Sequence, residues 1–240
     1  MMNGNVSRNG TMQRFDWIDF GYSWNEEWPD KTVDLDLHRS TASLLSQMLR
    51  KRPFEKRKIF LWMTRSDAQA QASDGVFHIS VPFDFNAYRR AKDARKLALF
   101  SEFLLNAIAT AAPTLVAPSE IAPLTEKLSA NNYTYRREDV VPVKGLDGIE
   151  SCKARFVHSP QCVRCDLSFN RGSVAISLPE GAFRRDEYDY GRSVSACVFD
   201  GPRVLVETSK GNFTFLLDSA ETRSLRLAAS PDVFWGKPKN

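Results

Sequence analysis

From Val76 to Val81 the apolar side chains fall on every second residue (Phe77, Ile79, Val81). From Leu97 onward they fall every third or fourth (Leu97, Phe100, Leu104, Ala107, Ile108, Ala111). The first period is that of a strand with one buried face, and the second that of an amphipathic helix. Phe103 and Leu105 widen the helical stripe, so this helix needs cover from the sheet and from a further element. Asp84 or Asn86 can cap a short helical turn between the two, Asp93 can cap the main helix, and Pro113 ends it.

The segments before this pair follow the same logic. Arg14 to Tyr22 reads as a first strand. Thr32 to Leu37 alternates, with Val33, Leu35 and Leu37 on one face and Asp34 and Asp36 on the other, which predicts a half-buried strand. Ser40 or Thr41 then caps a predicted helix carrying Leu44, Leu45, Met48 and Leu49. Arg50, Lys51 and Arg52 suit its C-terminal end, and Pro53 stops it. Ile59 to Thr64 is apolar on both faces, as expected of a central strand covered on both sides. Ser66 to Gly75 is small and polar and reads as a loop. Pro118 to Ala130 predicts a second, short helix.

After about residue 130 the pattern is of strands only. Cys152 to Val157 and Cys162 to Phe169 form a predicted hairpin around His158-Ser-Pro-Gln161. Val174 to Leu178, Ser193 to Phe199, Val204 to Ser209 and Asn212 to Leu217 follow, with Asp200-Gly-Pro202 and Lys210-Gly211 as turns. A last helix is predicted over Ala220 to Ala229. The chain therefore reads as α+β: a mixed sheet with helices in the N-terminal half, and an antiparallel β-meander in the C-terminal half. The expected organisation is a disordered tail over residues 1–13, an α/β subdomain over 14–130 and a β-rich subdomain over 131–240, the last two forming either separate units or two layers of one domain.

Composition changes this picture little. A chain of 240 residues with 42% hydrophobic content can build its core without metal or disulfide staples. No apolar run approaches the ~18 residues of a membrane-spanning helix, and residues 1–13 lack the apolar stretch of an export signal. A cytoplasmic protein with reduced thiols is expected. The net charge of +4 is too small to indicate nucleic-acid binding unless it is clustered.

The candidate chemistry is sparse. Cys152, His158, Cys162 and Cys165 are zinc-ligand types. In the predicted hairpin, however, Cys152 and Cys165 face one side with Phe156 and Leu167, and Cys162 faces the other. Residues three apart on a strand do not converge on one ion. No metal or cofactor is expected, and the cysteines read as small core residues. Asp34 and Asp36, on one predicted strand face, could do acid–base work with His78 if the fold assembled them. No glycine-rich phosphate loop, nucleophile elbow or zinc-protease helix is present. An acidic opening (Asp16, Asp19, Glu26, Glu27, Asp30, Asp34, Asp36) precedes a basic stretch from Arg39 to Arg65. This segregation either steers a charged partner or cancels when the two segments pack.

The strongest functional candidate is the loop from Glu180 to Arg192, which concentrates Arg184, Arg185, Asp186, Tyr188, Tyr190 and Arg192, with Phe183 and Glu187 beside them. Tyr and Arg dominate protein-binding hot spots, and the mixed signs suit a protein better than a phosphate backbone. A nucleic-acid binder would instead draw on Arg136, Arg137, Arg171, Arg184 and Arg185. The run Phe77-His-Ile-Ser-Val81, then Phe83-Asp-Phe-Asn-Ala-Tyr88, then the helix Ala94 to Ala112, resembles small cytoplasmic immunity proteins of bacterial polymorphic toxin systems. Phe15-Asp16-Trp17 and Asp19-Phe20-Gly21 are similar in character. The resemblance implies a non-catalytic protein that binds and blocks a cognate toxin. It assigns no residue a role, because such binding surfaces vary with the toxin. The alternatives are an enzyme with a site built from Asp34, Asp36 and His78, or a nucleic-acid-binding protein.

Overall fold

A computed structural model of the chain describes residues 13–22, 34–65, 67–145, 148–169, 175–179, 181–183, 193–209, 211–217 and 225–227. These form two compact units, one ending at Thr134 and the other beginning at Tyr135.

In the first unit, β1 (Gln13–Arg14) pairs with β3 (Pro53–Phe54) as a short antiparallel ribbon. The main sheet holds β2 (Trp17–Tyr22), β4 (Lys58–Thr64), β6 (Val76–Pro82) and β5 (Gln69–Ser73), in the spatial order β2-β4-β6-β5. The first three are parallel, and β5 runs antiparallel to β6. Parallel neighbours need a crossover, and α1 (Leu35–Leu49) supplies it between β2 and β4. Then come α2 (Phe85–Arg90), α3 (Asp93–Ala111) and, after a 3₁₀ turn, α4 (Ile121–Ala130).

Three expectations change here. Of the strand expected over Thr32 to Leu37, residues 34–37 are described, and they open a helix instead. Asp34 is the N-cap of α1, its Oδ1 accepting from the Leu37 N–H at 3.2 Å. Leu37 ends a short period-two run, but it also opens the longer helical stripe Leu37, Thr41, Leu44, Leu45, all buried. The longer pattern wins because it buries more side chains in one continuous element. Ser40 and Thr41, expected as caps, are therefore interior and buried. The expected loop Ser66 to Gly75 contains β5, a strand whose first four residues are exposed. An exposed edge strand has no apolar alternation to betray it; the Asp74-Gly75 turn folds it back on β6, both residues at positive φ (42° and 80°) as a two-residue hairpin requires. Third, β4 is central but unequal on its two faces. Ile59, Leu61 and Met63 are fully buried, whereas Phe60 and Trp62 are half-buried and pack on each other at 4.0 Å.

The buried face meets the helices, with Phe20 of β2 against Phe100 of α3 at 4.7 Å. The further cover that α3 needs comes from α1 and α4. Helix α1 also seals the free edge of β2: the Ile18 N–H donates to Ser46 Oγ at 2.9 Å, and Ser46 in turn donates to the Ala42 carbonyl. The Phe20 N–H is satisfied by Asp19 Oδ1.

The second unit is one eight-stranded sheet built from two four-stranded meanders. β7 (Tyr135–Lys144), β8 (Ser151–His158), β9 (Val163–Phe169) and β10 (Ala175–Ser177) form one; β11 (Val194–Asp200), β12 (Arg203–Thr208), β13 (Gly211–Leu217) and β14 (Leu225–Leu227) form the other. They join where β7 and β11 run parallel, the one departure from the expected antiparallel pattern. The backbone of residues 225–227 is extended, so the helix expected over Ala220 to Ala229 is replaced there by a strand. The inner faces of both meanders share one core, in which Phe169 of β9 meets Phe199 of β11 edge-on at 5.4 Å. The sheet must curl for strands so far apart in its order to touch.

Candidate functional site

The sequence-predicted anchors Arg184, Arg185, Asp186, Tyr188, Tyr190 and Arg192 lie outside the described residues. The start of their loop is described. Phe183, grouped with them by sequence, is buried and packs edge-on against Phe156 at 5.4 Å, so it belongs to the core. Glu26, Glu27 and Asp30 of the acidic opening are likewise outside the described residues, and so is Arg171.

Asp34, Asp36 and His78 do not form the acidic/His site. In a helix, residues two apart diverge by about 200°, so Asp34 and Asp36 lose the shared face that a strand would have provided. Asp34 is occupied as a helix cap. His78 stands on the other face of β6 from buried Phe77 and Ile79, and its Nδ1 accepts from Trp62 Nε1 at 3.2 Å. The acidic opening and the basic stretch cancel where both are described. Arg39 meets Asp19 at 2.6 Å, and Arg50 and Arg57 meet Asp16 at 3.2 and 2.9 Å. Burial raises the Asp19 pKa and the Arg39 guanidinium opposes it.

His38, which the sequence did not single out, is strongly perturbed by its surroundings. His38 is fully buried on α1. Its Nε2 lies 2.7 Å from Tyr88 Oη, its ring stacks on Phe100 at 4.1 Å, and its Nδ1 has no hydrogen-bond partner among the described residues. Desolvation, helped by nearby Lys96, lowers its pKa to about 3, and burial raises that of Tyr88. Held neutral and sealed from solvent, His38 is placed to pack and not to shuttle protons.

The cysteines follow the period of two. Cys152 and Cys165 face the core, while Cys162 is partly exposed. Cys197 of β11 joins the buried pair, its Sγ 3.9 Å from that of Cys152. The bond to Cys152, together with burial, holds the Cys197 thiol protonated, and burial does the same for Cys165. Among the described residues no group of three His, Cys, Asp or Glu side chains is arranged to hold a metal ion.

The exposed chemistry collects on the solvent face of β7, β8 and β9. Strand alternation and register place Arg136, Glu138, Val140 and Pro142 of β7 beside Val157, Arg155, Lys153 and Ser151 of β8. Arg164, Asp166 and Ser168 of β9 continue the row. Lys153 and Arg155 both reach Glu138, at 2.9 and 3.4 Å, and their hydrogen bonds and charge hold its carboxyl below the usual range. Arg136, Lys153, Arg155 and Arg164 are exposed cations set against Glu138 and Asp166, so the face is basic. On its β7 side, opposite Lys153, Val140 is 74% exposed, the most exposed large hydrophobic among the described residues. Arg137, named beside Arg136 as a nucleic-acid candidate, points to the opposite face and pairs with Asp139 at 2.8 Å. The alternation Arg136-x-Glu138-x-Val140 was visible in the sequence, but which side faces solvent depended on the curl of the sheet.

No family model, no curated protein and no solved structure matches the chain. No described helix is long and apolar enough to cross a membrane.

Proposed function

We propose that the chain is a non-catalytic protein-binding protein, acting in the cytoplasm as an immunity protein that covers the working surface of a cognate bacterial toxin. The observation that carries this reading is the solvent face of β7 to β9, where Val140 stands 74% exposed opposite Lys153 and on the same face as Arg136, Arg155 and Arg164. An exposed apolar side chain with charged side chains beside it on the same face suits a protein interface, which joins apolar and polar contacts. The cations favour an acidic partner, since complementary charge speeds encounter and rejects wrong partners. A nucleic acid fits less well: a phosphate backbone gains nothing from Val140 and is repelled by Glu138 and Asp166. The inert settings of His38, His78, Asp34 and the buried thiols also favour a surface role over a catalytic one.

The test is co-expression with the product of the adjacent toxin gene, followed by co-purification and a cell-protection assay. A stable complex with restored growth is the expected result. Val140→Asp, and separately Lys153→Glu with Arg155→Glu, then weaken the complex without altering the melting temperature. Failure of the wild-type chain both to co-purify and to protect removes the reading.

A further inference from the structure

We infer that β5 is a self-pairing edge, through which a second copy of this chain extends the N-terminal sheet by antiparallel strand addition. The hairpin fixes which backbone groups of β5 face outward. The two-residue Asp74-Gly75 turn makes Ser73 and Val76 a hydrogen-bonded pair, and alternation along the register makes Gln71–His78 and Gln69–Ser80 bonded pairs as well. The backbone N–H and C=O groups of Ala70 and Ala72 therefore point away from β6. No other strand follows β5 in the sheet order, and among the described residues nothing pairs with it on that side.

The two edges of this sheet are treated differently. At β2, Ser46 of α1 and Asp19 occupy the outward N–H groups of Ile18 and Phe20. At β5 the usual protections of an edge are missing: the strand reads Gln-Ala-Gln-Ala-Ser, with no charge, no proline and no bulge, and residues 69–72 are exposed. The occupant follows from symmetry. Two antiparallel copies of β5 centred on Gln71 set Ala70 of each against Ala72 of the other, and this register uses every outward N–H and C=O of both strands. Gln71 then faces its own counterpart, where two amides can bond each other, and the small Ala70 and Ala72 side chains permit close approach on the opposite face. The paired segment itself carries no charge, and a two-fold contact of this kind closes after two chains.

Sedimentation velocity on the full chain, from micromolar to near-millimolar concentration, tests the inference. A monomer–dimer equilibrium is expected. Ala70→Lys abolishes it, and so does Ala72→Pro, which removes an outward N–H that β6 does not use; both variants keep the wild-type circular dichroism. In a Cys162→Ser background, Gln71→Cys cross-links two chains on mild oxidation by oxidised glutathione, whereas Ser73→Cys, which lies off the symmetry axis, does not. A wild-type chain that stays monomeric throughout, or a dimer that survives both edge substitutions with Gln71→Cys uncrosslinked, overturns it.

Discussion

His38 carries the clearest consequence of burial at the scale of one residue. Its folded pKa of about 3 lies below the ~6.5 of an unfolded histidine, so the unfolded chain takes up a proton that the native chain refuses. Its contribution to stability is therefore complete above about pH 6.5 and is lost as the pH falls toward 3, with a limiting slope of about 1.4 kcal/mol per pH unit. Urea unfolding between about pH 7 and pH 5 should show this decline, and His38→Phe, which can keep the stack on Phe100, should flatten it while costing about 1–3 kcal/mol at neutral pH for the hydrogen bond that the Tyr88 hydroxyl loses. Gly145 is a second sensitive position. It sits at φ +75°, and a Cβ there would collide with the Phe199 carbonyl, so Gly145→Ala should destabilise the C-terminal unit by more than the ~1 kcal/mol of the backbone penalty alone. Gly75→Ala, at φ +80° with open space around it, should cost only about that amount, as thermal melts of the two variants would show. Thiol titration gives a third expectation: Cys162 reacts in the native protein, and Cys152, Cys165 and Cys197 react only on unfolding. The inward and outward assignment of Cys152, Cys165 and Cys162 was legible from strand period alone. The approach of Cys197 to Cys152 was not, because it depends on two strands that flank β7 without pairing with each other.

At the scale of elements, α1 does two jobs that its sequence only half reveals. Its stripe of Leu37, Leu44, Leu45 and Leu49 announces a buried helix, but not where the helix begins or that its serine seals a strand edge. Ser46→Ala should cost about 1–3 kcal/mol, because the buried Ile18 N–H loses its acceptor. Asp34→Ala should cost about 1 kcal/mol through loss of the N-cap. Both are measurable as shifts in the denaturation midpoint. Helix α3 and strand β6 were readable because each carries an unbroken period over its whole length. Strand β5 was not, because an element exposed on both faces leaves no apolar signature. The Thr32 to Leu37 segment misled for a related reason: over six residues, alternation and the start of a helical stripe share the same leucines, and only the cap geometry of Asp34 separates them.

At the scale of the molecule, the charge pattern along the chain does not translate into a charge pattern on its surface. The acidic opening and basic stretch meet as Asp19–Arg39 and as Asp16 with Arg50 and Arg57, whereas the basic face of β7 to β9 gathers residues from three separate strands. If that face binds an acidic partner, the association rate of the complex should fall with rising salt, and the Lys153→Glu, Arg155→Glu pair should remove most of that dependence, as stopped-flow measurements would show. The sequence by itself determined the α+β class, the helical character of 97–111 and the hairpins of the second half, because these rest on periodicity and turn chemistry that operate within a few residues. Only the tertiary structure decided the parallel joint between β7 and β11, the burial of His38, the dispersal of Asp34, Asp36 and His78, and the side of β7 that meets solvent. Those features depend on contacts between residues far apart in the chain, and no local pattern records which distant surfaces will be packed together.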